Sequence, residues 1–281
     1  MPLFNKVAIV GTGLIGGSIA LAIKKKHLAN EIIGVSRHRK SLALAKNKGA
    51  IDRGSVALEI IKGADLLVLA TPVSVIMSLA PRISKIVSKD CIVIDVGSTK
   101  GEVSNKLGKL FPNYIGSHPL AGSEKKGIIN AGPDMFRGSL CILTPTRNSR
   151  AKALAKIKAF WQRLEARVVL LTPQKHDMIL ALTSHLPHAV AFSLIDSVPK
   201  QYLRFSSTGL RDTTRLASSD SEIWVDILLS NRKNIIKAIE SFQNNLSKLK
   251  SAIAKKDKKK LSSTLKQINQ KRDRLNLQII G

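Results

Sequence analysis

A glycine-rich turn near the start of the chain restricts the possible folds more than any other feature of the sequence. The segment Gly11-Thr12-Gly13-Leu14-Ile15-Gly16 follows the apolar run Val7–Val10 and leads into a stretch with helical periodicity, Leu14–Lys26. A strand, this turn and a helix form the phosphate-binding unit of a dinucleotide fold. Its first glycine allows the tight turn, the second lets a pyrophosphate approach the backbone, and the third lets helix and strand pack closely. The cofactor-binding residues predicted in this turn are Gly11, Gly13, Leu14, Ile15 and Gly16.

The first 172 residues alternate apolar runs with amphipathic segments. The predicted strands are Val7–Val10, Glu31–Val35, Leu66–Ala70, Ile92–Val96, Tyr114–Gly116, Leu140–Thr144 and Val168–Leu171, and the predicted helices include Leu14–Lys26, Ser41–Lys48 and Arg150–Leu164. Unalternated runs rich in β-branched residues are typical of strands buried on both faces, and intervening helices imply a mostly parallel sheet. The fold class predicted for this part is α/β, a Rossmann-type doubly wound sheet.

After Thr172 the pattern becomes entirely helical. Helical spacing of apolar residues extends over Glu222–Ile253, and a further helix is predicted over about Lys258–Leu277. We therefore predict a nucleotide-binding domain at residues 1–172 and an all-helical substrate and dimerisation domain at residues 173–281.

The composition of the 281 residues argues against several classes of protein. Hydrophobic residues make up 44 % of the chain, too many for a disordered protein. No uninterrupted run of 18 apolar residues is present, so we expect no membrane span. The first residues run directly into an apolar strand and leave no room for a signal peptide. Because Cys91 and Cys141 both lie in apolar runs, we expect reduced core thiols and a cytoplasmic protein.

The chain is strongly basic, with 46 Lys and Arg against 19 Asp and Glu and a formal net charge of +27. Such a charge attracts anions, whether phosphates, carboxylates, nucleic acid or a membrane surface. Aromatic residues are only 4 % and no nucleic-acid-binding motif is recognisable, so nucleic acid is not the expected partner. The lysine-rich run at residues 255–260 is interpreted as a solvated helix face. Lys100 and Lys125 are expected to be solvated as well, with anion contacts in the cleft as the alternative.

The end of the second predicted strand indicates which nicotinamide cofactor is used. An acidic residue about 20 positions after the glycines would bind a free ribose 2′-hydroxyl. Ser36-Arg37-His38-Arg39 occupies that place instead and contains no carboxylate. Ser36 can donate to a 2′-phosphate and Arg37 can neutralise it, so NADP is the expected cofactor, with NAD as the alternative.

Three further segments follow predicted strands at the edge of the sheet where ligands bind. They are Ala70-Thr71-Pro72, the run from Asp95 to Gly101, and the run from Gly116 to Gly122. Thr71 and Pro72 are therefore added to the predicted cofactor-binding residues.

Taken in order, these segments resemble the prephenate/arogenate dehydrogenase family of tyrosine biosynthesis. The matching motifs are the glycine turn, Gly97-Ser98-Thr99-Lys100, His118-Pro119-Leu120-Ala121-Gly122, Thr183-Ser184-His185-Leu186-Pro187 and Gly209-Leu210-Arg211-Asp212-Thr213-Thr214-Arg215. They extend from residue 7 to about residue 232, and the Ser36-Arg37 pair looks like the NADP-using arogenate branch. The resemblance implies an oxidoreductase that oxidatively decarboxylates arogenate or prephenate, with hydride transfer to NADP.

The resemblance also implies roles for individual side chains. His118 would be the base that takes the substrate hydroxyl proton, and Ser98 would bond that hydroxyl or orient His118, or cap the helix that begins near Lys100. Arg215 would bind a substrate carboxylate, with Arg211 as the second choice, because a guanidinium fork matches a carboxylate. His185 would position the substrate as a hydrogen-bond donor.

Two histidines three residues apart on one predicted helix, His185 and His188, also raise the question of a metal site near His176 and Asp177. No HExxH or CxxC spacing supports such a site, so no metal is expected and His188 is interpreted as a packing residue.

The family implies a homodimer formed through the helical domain. Two alternative functions are another NADP-dependent oxidoreductase, of the β-hydroxyacid or pyrroline-carboxylate type, and a nucleic-acid-binding protein on a nucleotide fold. A hydroxyacid enzyme would need a catalytic lysine on its first interdomain helix, where the segment Gln174–Ile195 has only Lys175.

Overall fold

The computed structural model describes the backbone of residues 1–122 and 125–279, with side chains up to residue 275. Its strands are β1 (Phe4–Val10), β2 (Ala29–Val35), β3 (Arg53–Ser55), β4 (Leu66–Leu69), β5 (Ile92–Asp95), β6 (Tyr114–Pro119), β7 (Leu140–Pro145) and β8 (Arg167–Leu170). Its helices are α1 (Leu14–Lys25), α2 (Arg39–Asn47), α3 (Val73–Ile83), α4 (Gly101–Leu110), α5 (Ala151–Arg163), α6 (Pro173–Leu180), α7 (Leu186–Asp196), α8 (Thr208–Thr214), α9 (Ser221–Ser230), α10 (Arg232–Ala254) and α11 (Lys258–Ile279). Short 3-10 segments lie at Leu58–Ile61, Ile128–Asn130, Lys200–Phe205 and Arg215–Ser218, and a π-helical turn at Ala181–His185 joins α6 to α7.

The described strands form one sheet in the order β3-β2-β1-β4-β5-β6-β7-β8. The order reverses between β1 and β4, which places a crevice at the carboxyl ends of these two strands. The predicted fold class, a Rossmann-type doubly wound sheet followed by helices, is therefore confirmed.

Only the β6–β7 pair is antiparallel in this sheet. The connection from β6 to β7 contains, in its described part, the short Ile128–Asn130 turn and no crossover helix. A strand that follows its neighbour without a crossover helix runs in the opposite direction, and β7 is therefore antiparallel to β6. Helix α5 then provides a crossover connection from β7 to β8, and these two strands are parallel.

Both faces of the sheet are covered, which explains why its strands are continuously apolar. One buried cluster packs Ile19 of α1 and Trp161 of α5 against alternate strand residues. The cluster on the other face contains Ile76 of α3 and Leu107 of α4. The two helix layers leave the carboxyl ends of the strands open at one edge of the sheet.

Two local features differ from the sequence predictions. Strand β3 has only three residues and no apolar pattern, and it exists because its backbone pairs with the end of β2. The helical segment predicted over Glu222–Ile253 is broken at Asn231, between α9 and α10. The Asn231 side chain is buried and donates to the carbonyl oxygen of Asp177 at 2.8 Å, which holds the break in place.

The chain divides into two compact units, Met1–Arg232 and Lys233–Gly281. The predicted boundary at residue 172 lies inside the first unit, because the helices that follow it are bonded to the sheet domain. For example, the Asp226 carboxylate of α9 accepts the backbone N–H of Ser74 in α3 at 3.1 Å. Residue 172 thus marks a change in secondary structure, from α/β to helical, within one compact unit.

The continuous helical run Pro173–Asp196 is long and apolar enough to cross a membrane by length and composition. The expectation of no membrane span rested on uninterrupted apolar runs and did not consider this helix. About 22 % of its most apolar 18-residue stretch is buried by the other described residues. Length and composition do not separate a membrane span from a helix whose apolar face packs against protein. Here the run carries three histidines and a buried aspartate.

Candidate active site

A cavity of about 1140 Å³ opens at the carboxyl ends of β1, β4, β5 and β6. Its floor comes from the loops that follow those strands, and its roof comes from α6, α7, α9 and the segment near Arg215. The predicted site residues that line it are Gly13, Leu14, Ile15, Thr71, Pro72, Ser98, His118, His185 and Arg215. All of them lie in the unit Met1–Arg232.

The glycine turn has the backbone geometry that a phosphate site requires. Gly11 has a φ of +100°, and a Cβ there would lie 2.5 Å from the carbonyl oxygen of Ala70, so only glycine fits. A Cβ on Gly13 would meet no atom within 4 Å, which means that the space in front of this residue is open. A Cβ on Gly16 would lie 1.9 Å from the Gly11 oxygen. The backbone geometry at the three glycines is therefore that of a tight turn, an open space in front of Gly13 and a close packing contact.

The residues around this turn fit the phosphates of a dinucleotide. The N-terminus of α1 has no side-chain cap and no acidic residue in its first turn, so its N–H groups remain for an anion. The Thr71 hydroxyl oxygen on the opposite loop is buried without a hydrogen-bond partner in the described structure. Thr71 and the open Gly13 line the same cavity, and an orphaned buried hydroxyl there is a group that a phosphate oxygen can satisfy.

The Ser36-Arg37 segment follows β2, beside the glycine turn. The Gly11 N–H donates to the Val35 carbonyl oxygen at 2.8 Å, which ties the two loops together. Arg37 is exposed, and its Nε donates to the His38 ring at 3.2 Å, while Ser36 Oγ accepts the His38 N–H at 3.3 Å. Both residues lie at the nucleotide edge but outside the lining of the main cavity.

His118 lies near the end of β6 and is held by a histidine from the helical part. Its Nδ1 is 2.7 Å from Nε2 of His176, and Nδ1 of His176 is 2.7 Å from Oδ1 of Asp177. Burial, reinforced by the nearby His176 and Lys100, holds the pKa of His118 well below its usual value of 6.5. Burial also lowers the pKa of His176, so both rings are neutral near pH 7.

Ser98 lines the cavity but does not cap α4. The Asp177 carboxylate does so instead, since it accepts the backbone N–H groups of Lys100 and Gly101, each at 2.7 Å. The helix-cap interpretation of Ser98 is therefore wrong. Its hydroxyl remains on the cavity wall.

Lys100 is fully buried, so the expectation of a solvated lysine is wrong. Its ammonium forms an ion pair with Asp95, the last residue of β5, whose side chain is also fully buried. The Tyr114 hydroxyl donates to the same carboxylate at 2.6 Å, and the Gly97 N–H donates to it at 2.9 Å. A buried charge needs such a partner, and this network fixes the loop that carries Ser98.

The two histidines around the π-helical turn lie in different environments. The Asn231 amide is 3.1 Å from Nδ1 of buried His185 and donates to it, which leaves the hydrogen of the neutral ring on Nε2. Burial lowers the pKa of His185 to about 4. His188 stacks on Trp224 with ring centroids 3.6 Å apart, and its Nδ1 donates to the Ser184 carbonyl oxygen. His188 packs as predicted, yet it also lines the cavity.

The two predicted arginines differ in position. Arg215 lines the cavity, whereas exposed Arg211 does not. Asp220, which also lines the cavity, is paired with Lys126 at 2.5 Å. Arg215 has no ion-pair partner among the described residues, so its guanidinium can receive an anion in the cavity.

Sequence reasoning missed His176 and Asp177 as members of this cluster and Trp224 as a wall of the cavity. His176 and Asp177 were considered only as metal ligands, and no metal-binding group of His, Cys, Asp or Glu is present in the part of the chain that the structure describes. A His-Asp pair in the first turns of a helix, directly after a Thr-Pro start, was the available signal.

A Rossmann-type sheet whose cavity brings neutral histidines and an arginine together with the glycine turn defines a dinucleotide-dependent dehydrogenase. The family model described as "Prephenate dehydrogenase, nucleotide-binding domain" matches residues 19–170, and the model described as "Prephenate dehydrogenase, dimerization domain" matches residues 172–267. The chain therefore belongs to the prephenate dehydrogenase family.

Individual relatives agree with this assignment. The chain is 35 % identical to the cyclohexadienyl dehydrogenase of Zymomonas mobilis, over 92 % of this chain and 91 % of the relative. It is similar to the crystal structure of Aquifex aeolicus prephenate dehydrogenase in complex with hydroxyphenyl propionate and NAD+, with a TM-score of 0.92, 34 % identity and coverage of 96 % and 98 %. Synechocystis arogenate dehydrogenase gives a TM-score of 0.85 at 28 % identity, with coverage of 96 % and 99 %.

Proposed function

We propose that this dehydrogenase catalyses the oxidative decarboxylation of arogenate or prephenate in tyrosine biosynthesis, with NADP as the hydride acceptor. The observation that carries the proposal is the single cavity in which the glycine turn, His118 and Arg215 meet. The alternative of a hydroxyacid or pyrroline-carboxylate enzyme is disfavoured, because the two family models together extend from residue 19 to residue 267.

The choice of NADP rests on the loop after β2. Ser36 and Arg37 stand where a carboxylate would bind the ribose 2′-hydroxyl, and no acidic side chain occupies residues 36–40. The exposed Arg37 guanidinium matches the charge and geometry of a 2′-phosphate. The arogenate branch is proposed on the same pair of residues.

The proposed mechanism assigns one task to each side chain. A dinucleotide whose phosphates are held at the glycine turn would supply the nicotinamide that accepts the hydride from the substrate ring. His118 takes the proton of the ring hydroxyl on Nε2, the nitrogen that does not face His176. Loss of the ring carboxylate as CO₂ then makes the ring aromatic.

Two further groups hold the substrate in the proposal. The Arg215 guanidinium binds a substrate carboxylate through parallel N–H groups. The Nε2–H of His185, whose Nδ1 is engaged by Asn231, serves as the positioning donor, and the Ser98 hydroxyl bonds the reacting hydroxyl from the opposite wall.

We further propose a cytoplasmic homodimer. Both cysteines are free and buried, as expected in a reducing compartment. The match of residues 172–267 to a dimerization domain supports pairing through the helical part.

An absorbance assay at 340 nm that crosses both substrates with both cofactors tests the proposal directly. We expect turnover with arogenate or prephenate, and a higher kcat/KM with NADP than with NAD. An Arg37→Ala variant should lose this preference while its kcat/KM with NAD stays unchanged. Absence of turnover with either substrate would overturn the proposal, and binding of NAD as tight as that of NADP would overturn the cofactor choice.

A further inference from the structure

Three side chains from two parts of the fold form a continuous hydrogen-bonded chain behind the cavity. His118 comes from β6, and His176 and Asp177 come from α6. The chain runs from His118 Nδ1 to His176 Nε2, and from His176 Nδ1 to Asp177 Oδ1, with both distances 2.7 Å. His118 lines the cavity, whereas the His176 ring is fully buried and does not.

The hydrogen positions in this chain follow from its buried end. Both oxygens of Asp177 already accept backbone N–H groups, from Lys100 and Gly101, and an ionised carboxylate can only accept. Nδ1 of His176 must therefore donate to Asp177, and a neutral His176 then has only an acceptor at Nε2. Nδ1 of His118 must donate to that acceptor, which leaves Nε2 of His118 as a lone pair.

We infer that His176, held by Asp177, is a positioning residue that fixes His118 in the Nδ1–H tautomer and so presents a basic Nε2 to the cavity. The inference rests on the proposed function, in which His118 is the base. An imidazole with the opposite tautomer carries a hydrogen on Nε2 and cannot accept the substrate proton there.

The same arrangement stabilises the charge that forms when His118 takes up a proton. The imidazolium would donate through Nδ1 to His176, and the Asp177 carboxylate behind His176 offsets the positive charge. The groups that face this chain include buried Lys100, paired with Asp95, and His185. The positive charge of Lys100 disfavours protonation of His118. The Asp177 carboxylate, bonded to the far nitrogen of His176, is the negative group that offsets this repulsion.

Two variants separate positioning from packing. His176→Leu fills similar space without an acceptor, whereas His176→Gln keeps an amide oxygen that can accept from His118. We expect His176→Leu to lower kcat by about a hundredfold, the scale of a misplaced general base, with KM and the Kd for NADP changed less than about threefold. His176→Gln should recover most of the lost kcat. Equal losses in the two variants, or a loss confined to KM, would contradict the inference.

A spectroscopic measurement tests the tautomer without using activity. Long-range ¹H–¹⁵N spectra of the histidine-labelled full chain, with His118 assigned by comparison with His118→Ala, report which ring nitrogen carries the hydrogen. We expect Nδ1–H for His118 in the unsubstituted protein, and Nε2–H as the main form in His176→Leu. A wild-type His118 with its hydrogen on Nε2 overturns the inference even if a variant fails to fold. Failure of the proposed reaction would instead appear as missing turnover in a protein whose tautomer is as expected.

Discussion

The imidazole of His118 is the residue on which the proposed chemistry depends most. Replacement by alanine removes the base but leaves the glycine turn and Arg215 in place, so we expect kcat to fall by a hundredfold or more. Steady-state kinetics at saturating substrate measure this loss, and titration with NADP should give an unchanged Kd as the control. A variant with nearly normal turnover would remove His118 from the mechanism.

The low pKa of His118 predicts the acid limb of the pH profile. Burial favours the neutral ring, so the base stays unprotonated as the pH falls through 6.5, where an ordinary histidine becomes charged. We expect kcat/KM to stay constant through pH 6.5 and to fall only at lower pH, where the ring takes up a proton. A profile measured from about pH 8 to about pH 5 checks this, and half-loss at or above pH 6.5 would contradict it.

Arg215 and Arg211 form a matched pair for testing recognition of the carboxylate. Only Arg215 lines the cavity, although both lie in one motif and are exposed. We expect Arg215→Ala to raise the substrate KM at least about tenfold, because a charge-assisted bidentate contact is lost. The Kd for NADP should stay unchanged. Arg211→Ala should behave as the unsubstituted protein. Equal effects on KM in the two variants would refute the assignment.

Single side chains differed in how far the sequence could predict them. His118, Ser98 and Arg215 lie in short motifs whose order is specific, and all three line the cavity. The contact between His118 and His176 joins residues 58 positions apart, and no local pattern encodes it. Lys100 looked solvated because a lone lysine usually is, and its buried partner Asp95 becomes apparent only when β5 is in the sheet.

At the scale of elements, the N-terminus of α1 allows a clean test of the nucleotide site. A Cβ on Gly13 meets nothing in the protein, so Gly13→Ala should leave Tm nearly unchanged while the methyl group obstructs the pyrophosphate. We expect the Kd for NADP to rise at least about tenfold in titrations, since the backbone loses its close approach to the phosphates. Gly132→Ala, which also meets no atom within 4 Å, is the control with normal affinity. Unchanged affinity in Gly13→Ala would place the phosphates elsewhere.

Elements with a strong local pattern were predictable, and those fixed by pairing were not. The central strands carry continuous apolar runs, and their predicted positions agree with β1, β4 and β5 to within a few residues. Strand β3 consists of Arg, Gly and Ser and is defined only by its hydrogen bonds to β2. The direction of β7 follows from its connection to β6, whose described residues contain no crossover helix, and not from the sequence of the strand itself.

For the whole molecule, the exposed apolar side of the Pro173–Asp196 run predicts self-association. Met178 and Leu182 are each about half exposed in the single chain. Because half of each side chain is already covered, its full burial between two copies contributes about 1 kcal/mol. We expect a homodimer in sedimentation velocity at micromolar concentration, and Leu182→Asp should shift the population towards monomer. A single chain that sediments as a monomer would contradict the proposed dimer.

The π-helical turn at Ala181–His185 is the one place along the Pro173–Asp196 run where a change in length would stay local. A π-turn uses one residue more than an α-turn to cover about the same rotation and rise, so loss of one residue there would restore ordinary pitch and leave the helices on either side nearly in phase. His188, beyond the turn, would then stay on the cavity wall. Loss of one residue from the α-helical parts would instead turn everything beyond it by about 100° and carry His188 away from the cavity.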